Sequence, residues 1–442
     1  MWARLSSGRR RYLGAFGTPL LYAAAAVVLG VTVPRLEAYF LPNFPPIFDA
    51  ASAIAVLGSI AAGMLPLTGL VYSLAFVLVQ FSATAYSPRL VSWLAGSAFM
   101  SHALGIFTAT FIYSLAALGW VNRGGTGKVP MLTVWFAIAL LLASVVFFVM
   151  LVERLEMLQI SRVLAWTGDQ GRTVIARDYA PLDRPAGGPP GVGDRPDELP
   201  AVRQVLVHRG GPAVIQAIDV ERLVALAARE DVVVAMALAV GDTVMDGMPL
   251  LRVHGGARPI AEDRLRALVR LGAERTFEQD PKYALRILVD ISIKALSPAI
   301  NDPTTAVQAL DQVEDLLLRL GRTSLSAGRL RDDRGDLRLT FPVPSWDDFL
   351  VLAFDEIRFC GESSIQVMRR LRALLHGLIE QVPPARRPAL ERYLARVDSG
   401  THRAFVDEED RRDALEEDRQ GLGLSRQRRA SIDPPPGGPA AV

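Results

Sequence analysis

Four long apolar stretches occupy the first third of the chain, after which the pattern changes to short apolar runs separated by charge. They run from about Tyr12 to Val33, Ala50 to Phe81, Ser101 to Trp120 and Met131 to Val152. Each reaches the roughly 20 residues that cover a hydrocarbon core of about 30 Å at about 1.5 Å per residue. The charged residues between Tyr12 and Val152 are Arg35, Glu37, Asp49, Arg89, Arg123 and Lys128, all in or beside the connections. The pattern predicts four membrane-spanning helices within residues 1–152. The second is too long for one straight crossing, and Gly63, Pro66 and Gly69 mark where it can kink. A signal peptide is the competing reading of the first stretch. No small-residue cleavage pattern follows it and three more spans do, which favours the membrane helix.

Beyond the spans, the fourth helix is expected to continue from Glu153 to about Trp166. A strand is expected at Thr173 to Ala176, and a loop over the Gly-, Pro- and Asp-rich segment Pro181 to Pro200, closing a 153–200 connection. Within residues 201–260, β-type runs at Val202 to His208, Val214 to Ile218, Val232 to Leu238 and Leu250 to Val253 surround a helix at Glu221 to Arg229. Turn chemistry at Ala239 to Val244 and Asp246 to Pro249 completes a small α+β or barrel-like module. Residues 261–420 read as helical, with segments near 262–272, 281–296, 303–320, 346–379, 385–397 and 402–418. Ser345 and Asp348 form a capping box for the longest. Residues 421–442 read as a tail. The fold class expected is an α-helical membrane protein with four spans, a cytosolic α+β module and a helical C-terminal domain.

Charge divides the chain in the same place. Up to Met150 there are 8 Lys and Arg against 2 Asp and Glu, which leaves 40 against 44 of the chain totals of 48 and 46. The remainder therefore carries no basic field of the kind nucleic acid requires. Arg4, Arg9, Arg10 and Arg11 before the first span keep that end in the cytoplasm, and an even number of crossings returns the chain there. Arg123 and Lys128 then lie outside. The single cysteine, Cys360, allows no internal disulfide and suits a reducing compartment. Turns such as those at 239–249 occur in lipoyl and biotinyl carriers. Such a carrier needs a lysine, and none lies between Lys128 and Lys282.

The densest candidate chemistry lies from Tyr283 to Ala306. Arg286, Asp290 and Lys294 recur every four residues on an otherwise apolar helix, so they form one charged stripe with an acid between two bases. The stripe is either a self-neutralising row or faces a water-filled passage or a neighbouring subunit. The helix stops at Ser297-Pro298. Asp302 suits the N-cap of the next helix with Pro303 at its first position. Asn301 suits a left-handed conformation, or an amide offered to a ligand.

The run Leu288-Val-Asp-Ile-Ser-Ile-Lys-Ala-Leu-Ser-Pro-Ala-Ile-Asn-Asp-Pro-Thr-Thr-Ala306, with Ser87-Pro88-Arg89 and Phe354-Asp355-Glu356-Ile357-Arg358, resembles a known family. It is that of the bacterial predicted membrane proteins grouped as domain-of-unknown-function family 2254. Lys294 stands where that signature has Arg and Ala299 where it has Gly, so a bidentate arginine contact and a positive φ are not implied here. The resemblance implies the architecture and a bacterial inner-membrane location, and carries no reaction.

Within the membrane part, Ser73, Val77, Gln80, Thr84 and Ser87 share one face of the second span, with Arg89 just beyond. Ser101, Gly105 and Thr108 share a face of the third. Such faces let helices pack, or line a path. Several motifs fail. Arg123-Gly-Gly-Thr-Gly-Lys128 lacks the Ser or Thr and the strand of a phosphate loop. His102, His208, His254, His376 and His402 lack paired metal-ligand spacing, and Gly191-Val-Gly193 lacks the strand and helix of a nucleotide fingerprint. No metal or cofactor is expected, and no catalytic residue is assigned. The leading functional reading is an oligomeric passage for ions or small solutes, with membrane lipid and further copies of the chain as partners. The alternative is a membrane-anchored sensor or scaffold. An enzyme using Asp290, Lys294 and Asn301 is the weakest reading, because no nucleophile and base accompany them.

Overall fold

The computed structural model describes residues 6–41, 48–85, 98–121, 129–156, 159–179, 182, 199–325 and 328–424. The chain forms two compact units, Met1–Gln159 and Ile160–Val442. In the first, α1 is Ser6–Phe40, α2 Ala50–Ala85, α3 Ala98–Leu118 and α4 Met131–Glu156. All four are long and apolar enough to cross a membrane, over Gly17–Phe40, Ala50–Leu74, Phe99–Leu118 and Met131–Glu153. α2 is assigned as one helix through Pro66, 36 residues long. Ala53, Leu57, Ile60 and Met64 give it a buried face at helical spacing, and Phe107 and Tyr113 of α3 are fully enclosed beside them. Glycine allows α1 and α3 to approach closely. A β-carbon on Gly30 would lie 2.6 Å from Cβ of Ala116, and one on Gly105 2.8 Å from the ring of Tyr22.

The second unit opens with α5, Ile160–Asp178, which corrects two expectations. The fourth span does not run on to Trp166, because α4 ends at Glu156. Thr173 to Ala176 is not a strand either: Val174 and Ile175 fall in the series Val163, Leu164, Thr167, Gly168 and Gly171 that buries one helical face. A locally β-prone run yields to the longer period.

The α+β part comprises β1 Val202–Val207, β2 Ala213–Ile218, α6 Val220–Arg229, β3 Val232–Met236, β4 Thr243–Val244, β5 Pro249–Gly255, α7 Glu262–Arg266 and β6 Val269–Gly272. Among the described residues a three-stranded sheet has the order β4-β2-β6, and a five-stranded one the order β1-β5-β3-β8-β7. The last two strands are β7, Arg329–Arg331, and β8, Leu337–Thr340, where β8 runs parallel to β3 with Val234 opposite Leu339. A boundary at residue 260 therefore cuts through this sheet. Leu206, Leu223, Leu226, Val234, Leu251 and Leu339 meet in its core. The helix expected over 262–272 is α7 followed by β6, because Val269 to Gly272 pairs with β2.

The helical part is α8 Pro281–Ala295, α9 Pro303–Gly321, α10 Trp346–Cys360, α11 Ile365–Gln381, α12 Arg387–Ala404 and α13 Glu408–Ala414. The segment expected as one helix over 346–379 is two. Gly361 ends α10, and Ser364 starts α11 by accepting from Val367 N. Ser345 and Asp348 do form the capping box of α10. α8 packs against α5, α9 and α10, and ten of its fifteen residues are buried. Of the loop expected at 181–200, most lies outside the described residues, as do 122–128 and the tail from 425 onward.

Candidate functional site

The unburied positions of α8 include Lys282, Arg286, Asp290, Ile293 and Lys294, so the helix has one narrow polar edge. Arg286 Nη2 lies 2.6 Å from Asp290 Oδ1 and 2.8 Å from Glu356 Oε2. Burial opposes the charge on Arg286, but the hydrogen bond to Glu356 and the two acidic neighbours outweigh it and raise its pKa. Lys282 extends the row and reaches Asp242 at 3.3 Å. Two partners lay outside the sequence reading: Glu356 comes from α10, and Asp242 from the turn before β4. The shared motif Phe354 to Arg358 was the signal that could have pointed to Glu356.

The end of α8 reverses through a compact connector. Ser297 Oγ donates to Lys294 O at 2.7 Å, while Asn301 N and Asp302 N donate to Ser297 O and Ala295 O at 2.9 and 2.8 Å. Asn301 takes φ +50°, and Ala299 is not among the residues at positive φ. The alanine in place of glycine therefore meets no strain. Asp302 caps α9, accepting from Thr305 N at 3.1 Å and Thr305 Oγ1 at 2.6 Å. Backbone geometry accounts for Ser297 and Asp302 without a ligand. Asn301 is exposed.

Beside the Arg286 pair is an open groove of about 480 Å³, walled by Ile293 of α8, by Glu356, Arg358, Phe359 and Cys360 of α10, and by Asp355 and Arg396. Asp355 accepts from Arg396 Nη1 at 2.9 Å and from the Tyr393 hydroxyl at 3.0 Å. Burial, with Asp355 adding to it, pushes the Tyr393 phenol up to about 12. Burial and the Glu356 charge raise the Cys360 pKa, which keeps it a thiol. Phe359 is 72% exposed.

The membrane candidates are not brought together with these. Ser73 and Gln80 are exposed in the first unit, off the buried face of α2. The side chain of Thr84, and all of Ser87 and Arg89, lie outside the described residues. Gly105 serves packing, Thr108 Oγ1 donates to Leu104 O at 2.8 Å, and His102 Nδ1 lies 3.2 Å from the Tyr22 hydroxyl. Glu37, which the sequence places beside a connection, is buried. It accepts from Leu132 N at 2.8 Å and from Thr133 N and Oγ1 at 3.1 Å, so it caps α4 from α1. Among the described residues no three His, Cys, Asp or Glu converge as metal ligands would.

The family described as "Predicted membrane protein (DUF2254)" matches residues 15–377. The uncharacterized protein Rv1290c of Mycobacterium tuberculosis H37Rv is 30% identical over 372 residues, covering 80% of this chain and 69% of that protein. The uncharacterized protein Mb1321c of Mycobacterium bovis matches with the same identity and coverage. No solved structure matches the chain.

Proposed function

The chain belongs to the DUF2254 family of predicted membrane proteins, and on that footing we propose that it is a membrane-anchored sensor. Four helices anchor it in the bacterial inner membrane, both termini are cytoplasmic, and the second unit binds a ligand. The observation that carries this reading is the groove beside Arg286 and Glu356, where the two motif-bearing helices α8 and α10 come together. Its volume lies within the roughly 300 to 1,000 Å³ of small-molecule sites, which favours a ligand over a protein. The charged row supports a passage less well than its sequence did, because Arg286 is closed by two carboxylates. The described interior of the helix bundle is filled by Met64, Phe107 and Tyr113.

The test uses the full chain. Sealed vesicles containing it should show the solute flux of protein-free vesicles, while a protein-free small-molecule fraction of bacterial cytoplasm should raise its melting temperature. Flux without a thermal shift would replace the sensor with a passage. That second reading is favoured by Ser73 and Gln80, polar residues at exposed positions of α2 that a homo-oligomer would bring into a shared interface. On it, Gln80→Glu shifts the reversal potential in a salt gradient toward cation preference while assembly persists.

A further inference from the structure

Arg358 differs from the arginines around it. Arg286 is held by Asp290 and Glu356, and Arg396 by Asp355. Among the described residues Arg358 has no carboxylate partner, and its Nε is closed off from solvent without an acceptor. It lines the groove next to the exposed Phe359 ring and the aliphatic Ile293. A guanidinium presents a planar fork of donors that matches a carboxylate, and a buried nitrogen without an acceptor is a cost that such a ligand removes. Asp355 and Glu356 share the walls and disfavour a doubly charged head.

Resting on the sensor reading above, we propose that the groove binds a small monocarboxylate with a ring-sized apolar body. The carboxylate sits on Arg358, and the body lies against Phe359 and Ile293. The head's single charge is set by the one uncompensated arginine, and its apolar part by the surface that the groove leaves open.

Titration calorimetry on the full chain in detergent, with phenylacetate, phenylacetamide and phenyl phosphate as probes, tests this. Phenylacetate should bind saturably, slow maleimide labelling of Cys360 in the same groove, and bind about tenfold more weakly to Arg358→Gln, the equivalent of about 1.4 kcal/mol. Phenylacetamide should not bind, and phenyl phosphate should bind more weakly than phenylacetate. Phe359→Ala, at an exposed position that the fold does not need, should also weaken phenylacetate, which keeps the test decisive if Arg358→Gln fails to fold. Equal binding of the amide, tighter binding of the phosphate, or binding unchanged in both variants would overturn the proposal. If the cytoplasmic fraction raises the melting temperature and phenylacetate does not bind, this inference fails and the sensor reading stands. If neither acts, both fail.

Discussion

Glu37 of α1 and Thr133 of α4 share one carboxylate oxygen: Oε2 accepts from both the backbone N–H and the hydroxyl of Thr133, each at 3.1 Å. The other oxygen takes Leu132 N, so the first turn of α4 is satisfied by a side chain from a different helix. Glu37→Ala should leave these donors unmet and cost about 1 to 3 kcal/mol. Glu37→Gln, which keeps one acceptor oxygen, should cost less. Melting temperatures of both variants in detergent check the order, and equal losses would mean that the pairing contributes nothing.

The Arg286 row makes a graded prediction. Removing one acid still leaves Arg286 the other, so Asp290→Ala should cost about 2 kcal/mol rather than the larger penalty of a fully orphaned buried charge. The double variant Asp290→Ala, Glu356→Ala should cost more than the two single losses added together, because only then is the guanidinium unpaired. A double-mutant cycle by denaturant unfolding of the second unit's signal reads that coupling. Additivity would show that Glu356 does not stand in for Asp290.

Asp315 of α9 lies 2.8 Å from Arg172 and 3.0 Å from Arg319. Burial works against its charge, but the hydrogen bonds from Arg319 and Arg172 outweigh it and bring its pKa below the ordinary 3.8. The unfolded chain therefore binds this proton more readily. The stabilisation is present above the ordinary pKa and is lost as pH falls through the lower folded value. Asp315→Asn should melt below the parent at pH 7, with the gap closing in melts taken below about pH 4. A gap that persists in acid would point to lost packing instead.

Gly241 takes φ +90°, and a β-carbon there would run into the carboxylate of Asp280. Asp280 is shut from solvent and held by Arg275 Nη2 at 2.6 Å, so it has little room to yield. Gly247, at φ +78°, has open space around it. Both Gly→Ala variants carry the backbone strain of about 1 to 3 kcal/mol, and only Gly241→Ala adds the collision. Chemical denaturation should therefore rank Gly241→Ala well below Gly247→Ala, and matching losses would leave strain as the whole effect.

Topology has its own probe. Cys360 is exposed and is the chain's one cysteine. With both termini in the cytoplasm, an impermeant maleimide should label it only after cells are permeabilised. Labelling of sealed cells from outside would invert the orientation.

The long-period features were the legible ones. Apolar stretches marked the helices of the first unit, a four-residue charge repeat marked the edge of α8, and short-range capping chemistry at Ser345 and Asp302 placed two helix starts. Asn301 was recognisable because an Asn beside an N-cap tolerates the left-handed region, and it takes φ +50°. The features that escaped depend on distant pairing. Val269 to Gly272 has helix-compatible composition, and only β2 makes it a strand. Thr173 to Ala176 misled for the opposite reason, since a four-residue window cannot see the face that α5 buries. For the groove, sequence showed Arg286 and the Phe354 to Arg358 run separately, but the meeting of Arg286 with Glu356 is a product of helix packing.

The parallel pairing of β3 with β8 also sets an order of events at the ribosome. When residues 232–236 emerge, the strand that will lie on one side of them, 249–255, follows at once, while the other, 337–340, is made only after α8 and α9. Until then that edge of β3 has exposed backbone donors and acceptors, open to pairing with another nascent chain. Truncation before residue 337 would make that interval permanent, so a shortened cytosolic fragment should aggregate where one ending beyond 424 stays dispersed.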